Sequence, residues 1–197
     1  MIDRFLKAKH WQLFIVTFGI PMIFQFVIMG SMILNLDNQV HLYPGIIFNR
    51  FKFIPLIILL FMGLTFVWFW SVGIGLQKRV PENVTMKVKK FKVFLFIPMI
   101  YMFILGVLLS FASNGLFEFG SKPNWGLIGG LFTVIVLLHL FSVFCIFYSL
   151  YFVAKTIKTA ELQRAVEFGD FVGEFFLIWF YPIGIWIIQP RVNKMIE

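Results

Sequence analysis

His139, Ser142, Cys145 and Ser149 recur at helical spacing inside one apolar run, within an arc of about 120° at 3.6 residues per turn. An ionisable ring at bilayer depth is costly and defaults to a functional candidate. Beside two hydroxyls and a thiol, His139 could relay protons or hold a ligand. The same arc better suits a neutral imidazole bonded to a facing helix, with the serines as interhelical hydrogen bonds.

Gln25 lies near the middle of the first apolar run. Pro21 has no N–H to offer the Thr17 carbonyl, so a kink or a compensating partner is expected there. Gln25 has three candidate partners: that carbonyl, His139 or a substrate. Thr17, Pro21 and Gln25 step by four and share one helix face. Glu174 is the one acidic residue set inside an apolar run. It reaches headgroups or pairs with Lys155, and it can meet His139 only if its segment packs deeply.

Lys87, Lys89, Lys90 and Lys92 form a juxtamembrane cluster. Such clusters attract anionic lipid headgroups at about 1 kcal/mol per basic residue, and they also fix topology. Gly126 and Gly130 make a Gly-x-x-x-Gly that lets helices approach closely, within or between chains.

The spacing patterns of membrane and soluble catalysis are missing: there is no His-Glu-x-x-His, no Gly-x-Ser-x-Gly and no phosphate-binding loop. The three histidines, His10, His41 and His139, fall at different depths, so no two converge on a metal or a haem iron. Cys145 is the one cysteine, which leaves no intrachain disulfide and no thiolate metal site. No enzyme activity, metal or cofactor is expected.

The elements that must position these residues are apolar helices. Residues are 60% hydrophobic and 13% charged, against about 25% charged in soluble domains. Apolar stretches cover roughly 11–36, 53–76, 93–112 and 126–154, and a fifth covers 171–188. About 20 apolar residues cross a bilayer, so four spans are expected. The first run is too long for a signal-peptide core and reads as a retained span. The fourth is expected to continue as a polar helix through residue 165, because Lys158, Glu161 and Arg164 step by three. Gly169 should then end it, and Asp170 should cap the next helix. The expected fold is an all-α polytopic transmembrane bundle, one membrane domain over residues 1–197, with the fifth segment a helix or a re-entrant hairpin.

The net charge of +8 follows from the positive-inside bias. With the N-terminus inside, inner segments before the tail hold 12 basic residues and the outer loops 3. Without a basic domain, nucleic-acid binding is not expected.

Pro182 and Gly184 interrupt a fifth segment already short for a full pass. Trp179 and Trp186, seven apart, would share a face if that segment were one helix. The stretch from Pro182 to Trp186, followed by Arg191, resembles Pro-x-Gly-x-Trp elements at the ends of small multi-span bacterial inner-membrane proteins. That resemblance covers about ten residues. It implies a shallow hairpin with the tail inside, in a bacterial inner membrane, and implies no activity.

Two functional readings follow. One is a non-catalytic membrane subunit or accessory protein of assembly, regulatory or immunity type, binding a protein partner or further copies of itself. The alternative is a small oligomeric channel or carrier using the stripe from His139 to Ser149.

Overall fold

The computed structural model describes residues 2–36, 54–111 and 125–197. Among the described residues there are helices and no strand. A short helix α1 (Ile2–Lys7) leads into α2 (His10–Phe14). This continues through a π-helical turn, Ile15–Gly19, into α3 (Ile20–Leu36). Next come α4 (Ile54–Gly75), a 3-10 turn (Leu76–Arg79), α5 (Val88–Phe111) and α6 (Trp125–Leu162). The chain ends in α7 (Phe168–Trp179) and α8 (Tyr181–Ile196).

Four of these stretches are long and apolar enough to cross a membrane. Pro21 acts as its chemistry requires. The π turn stands directly before it, and the Ile20 N–H bonds the Ile15 carbonyl five residues back. The wider turn re-registers the ladder where proline cannot donate. Thr17 and Pro21 are buried and Gln25 half-buried, so their shared face does turn inward.

The fifth segment is two helices, of 12 and 16 residues, each too short to span. They fold back on one another at Phe180, whose N–H still bonds the Phe176 carbonyl and whose own carbonyl accepts from Ile183 and Gly184. Gly184 makes the crossing: a Cβ there would overlap the Leu177 carbonyl oxygen. Trp179 and Trp186 therefore do not share a face. Trp179 packs edge-on against Phe147 of α6 at 4.7 Å, whereas Trp186 lies 4.7 Å from the His10 ring.

Helix α6 stops earlier than its charge pattern suggests. It ends at Leu162, where Gln163 takes a left-handed φ of 52°. The Gln163 amide donates to the carbonyls of Ala160 (2.6 Å) and Arg79 (2.8 Å), tying that end to the second loop. These bonds compensate a conformation that usually goes to glycine. Asp170 is not the cap. Glu167 holds that position and Asp170 stands at the third helical residue, accepting from the Glu167 N–H at 3.0 Å.

The core sits toward one end. Phe91 and Phe152 stack at 4.3 Å between α5 and α6, and Trp68, Val72, Leu76, Ile157, Phe171, Ile185 and Ile188 surround them, all buried. The basic segments gather at this same end. Ile2, Asp3, Lys78, Arg79 and Ile196 line one cleft, which places the first helix, the second loop and the tail together. At the other end α3, α5 and α6 expose most of their apolar side chains, including Phe26, Phe103 and Phe132.

Candidate functional site

The stripe on α6 divides. Ser142, Cys145 and Ser149 are buried against the bundle. His139 is exposed, and its Nδ1 lies 3.3 Å from the Tyr101 hydroxyl of α5. Position along the helix accounts for the split, since packing tightens only toward the basic end. The serines do not act as interhelical hydrogen bonds throughout: Ser149 donates to the Cys145 carbonyl of its own helix at 2.9 Å. Thr65, Ser71 and Thr156 likewise donate four residues back. Gln25 meets neither His139 nor the Thr17 carbonyl in any hydrogen bond among the described residues. The Thr17 hydroxyl donates to the Leu13 carbonyl at 2.7 Å and lies 3.3 Å from the Tyr181 hydroxyl.

Glu174 is neither a headgroup carboxylate nor a partner of Lys155 or His139. It is buried where α6, α7 and α8 meet, 3.1 Å from Lys158 and 2.6 Å from Arg191. Arg191 also reaches Glu161 at 2.5 Å, and Lys158 lies 3.4 Å from Glu161. Two cations and two carboxylates thus close a neutral ring that clamps the hairpin onto α6. Burial pushes the Glu174 carboxyl up, but hydrogen bonds from Arg191, its own backbone and Lys158 outweigh this and hold it below the usual range. Burial likewise works against the Arg191 charge, and the two carboxylates more than offset it. Lys158 and His139 are 19 residues apart on α6, about 28 Å of helix, so this carboxylate serves the basic end alone.

The second polar constellation centres on Gln189, a residue with no periodic signal of its own. It is fully buried, and its Oε1 accepts from Trp68 Nε1 at 2.8 Å. Its amide nitrogen faces the carbonyls of Phe5 (3.2 Å), Leu6 (2.9 Å) and Ala8 (2.9 Å). These are the carbonyls that the end of a six-residue helix leaves without intrahelical donors. Asn193, one turn on, adds weaker contacts to Lys7 and Ala8 at 3.4 and 3.3 Å. Trp68 is thus a core hydrogen-bond donor.

The four lysines of the juxtamembrane cluster diverge. Lys90 Nζ lies over the rings of Phe94 (5.2 Å) and Tyr148 (5.1 Å). Lys92 turns the other way, over Trp70 at 5.3 Å. Lys87 and Lys90 line a cavity of about 540 Å³ with Lys155, Phe144, Phe147 and Tyr148. Lys89 is exposed. Gly130 has open space around its Cα, so it makes no close approach to another helix among the described residues. His41 lies outside the described residues. Among the described residues no three His, Cys, Asp or Glu side chains gather as metal ligands would. No protein-family model, curated protein or solved structure matches this chain.

Proposed function

We propose that this chain is a non-catalytic integral membrane subunit or accessory protein of assembly, regulatory or immunity type, whose working surface is the outer half of its own spans. The observation that carries the reading is α6. Only 11% of its most apolar window is buried by the rest of the chain. Leu131, Phe132, Leu137, Leu140 and Phe144 are all exposed along it, and Gly130 adds a flat spot for a neighbouring helix. Most polar groups near the spans are meanwhile closed by bonds within their own helix, in the ring around Glu174 or in pairs such as Trp68 with Gln189. That leaves few convergent donors for catalysis at one depth.

In this reading the protein sits in a bacterial inner membrane with α1, the second loop and the tail in the cytoplasm. The excess of basic residues in those segments supports that orientation. The exposed tip of the hairpin, with Trp179, Phe180, Ile183 and Trp186, dips into the cytoplasmic leaflet. A channel or carrier is less well supported, because Ser142, Cys145 and Ser149 face the chain's own helices.

The test is the mass of the natively extracted particle after subtraction of bound detergent. A protomer held in a larger homomeric or hetero-complex is the expected result. A lone protomer, with Leu137 and Leu140 labelled by lipid-borne carbene probes, would defeat the proposal. Reporter fusions at Gln77 and Pro123 test the orientation separately, and matching signals at the two sites would overturn it.

A further inference from the structure

The cavity between the start of α5 and α6 has a gradient of chemistry along its length. At the basic end stand three ammonium groups, Lys87 and Lys90 from α5's start and Lys155 from α6. None of the three is in an ion pair among the described residues, although Lys158, Arg164 and Arg191 of this end are. The cavity lining contains no carboxylate. Lys90 is held over Phe94 and Tyr148, and Lys155 over Tyr151 at 6.0 Å, so two of the charges are aimed rather than free in solvent. The positive end of the α5 dipole adds to the same field.

The other end of the cavity is apolar. Phe144, Phe147, Tyr148 and Tyr151 carry the wall along α6. Lys155 and Phe144 are 11 residues apart, about 16 Å of helix. Phe147 is backed by Phe175 and Trp179 of α7, and Tyr151 by Phe168 and Phe171. A soluble anion would leave that half unfilled, and an uncharged lipid would leave three ammonium groups unmatched.

We propose that this groove binds one anionic phospholipid, its phosphate among Lys87, Lys90 and Lys155 and an acyl chain along Phe144 and Phe147. The groove borders the proposed partner-binding face at Phe144, but its lipid chemistry does not rest on that reading. It also divides the lysine cluster into two classes. Lys87 and Lys90 line the groove, while Lys92 faces Trp70 on the other side of α5 and Lys89 is outside the lining.

Native mass spectrometry of the full chain, titrated with phosphatidylglycerol and separately with phosphatidylcholine, tests this. One phosphatidylglycerol should be retained per protomer in preference to phosphatidylcholine. The Lys90→Gln/Lys155→Gln double variant should weaken that retention about 25-fold, at about fivefold per basic residue. Lys87→Gln, which lies before the helix, should cost about fivefold with no risk to the fold. Lys89→Gln/Lys92→Gln should bind as the parent does. Equal losses in the two double variants would show diffuse attraction and overturn the site. So would equal retention of phosphatidylcholine, or displacement of the lipid by inorganic phosphate alone.

Discussion

Trp68 and Gln189, 121 residues apart in the chain, meet through a 2.8 Å hydrogen bond in a site closed to solvent. The same glutamine satisfies the end of α1, so one side chain joins the first helix, the second span and the last helix. Replacing it with leucine leaves the Trp68 N–H and at least two carbonyls unpaired. Each buried unpaired group costs about 1–3 kcal/mol. Gln189→Leu should therefore lower the thermal midpoint in detergent markedly. Trp68→Phe, which removes only the donor, should lower it less. Equal, small shifts would mean that the latch contributes little.

The hairpin turn gives a paired test on glycines. Gly184→Ala places a methyl group against the Leu177 carbonyl, which is backbone and cannot swing aside. The two helices must separate, and proteolysis near Phe180 should become faster. Gly173 lies on an exposed face of α7 with nothing within 4 Å of a built Cβ. Gly173→Ala should stabilise by about 0.5–1 kcal/mol through helix propensity. Similar behaviour of the two variants would contradict the close crossing at the turn.

The ring around Glu174 has a pH signature. Its folded pKa is depressed below the reference value of 4.5. A depressed carboxylate contributes stability above its unfolded pKa and loses it as pH falls through the lower folded value. The clamp should thus hold at neutral pH and weaken below about pH 4.5. Glu174→Gln should be less stable than the parent at about pH 7, and the gap should narrow as pH falls below the reference value of 4.5. Its cost at neutral pH should be about 2 kcal/mol. That is under the 3–5 kcal/mol of fully buried pairs, because Arg191 keeps Glu161. A gap that stays constant with pH would show that the carboxylate is not the stabilising group.

Membrane class, the four spans and the break near Pro182 were legible because they depend on local properties: run length, hydropathy and proline chemistry. The partners of Glu174 and Gln189 were not legible. Lys158 lies 16 residues from Glu174 across a loop, and Phe5 lies 184 residues from Gln189. Neither pairing leaves a periodic mark, since a residue between Ile188 and Pro190 looks like any polar residue near a tail. The arc from His139 to Ser149 was real as helix geometry, but burial along it depends on how tightly α5 approaches. That is a property of two helices and not of one. The end of α6 was misplaced for a similar reason: the Arg79 carbonyl, from a distant loop, helps hold Gln163 in a conformation that its sequence neighbours do not suggest.

His139 and Tyr101 provide the sharpest separation between a structural and a working polar group. Their contact of 3.3 Å joins α5 to α6 beyond the ring contacts of Phe91 with Phe152 and of Phe94 with Phe144 and Tyr148. As a structural pair, His139→Gln should be tolerated, because an amide replaces the hydrogen bond of a neutral ring. His139→Leu and Tyr101→Phe should each cost about 1 kcal/mol, the scale of interhelical hydrogen bonds in lipid, and the double variant should cost little more than either alone. Additive losses in that cycle would mean that the two side chains do not interact. The working role makes a different demand. Liposomes containing the parent would carry a proton flux that both His139→Gln and His139→Leu abolish at unchanged thermal stability. The structure favours the first outcome, because Glu174, the carboxylate best placed in sequence to complete a relay, is committed to Lys158 and Arg191 at the basic end. A flux lost in both variants would move the channel reading ahead of the accessory one, with His139 as its gate.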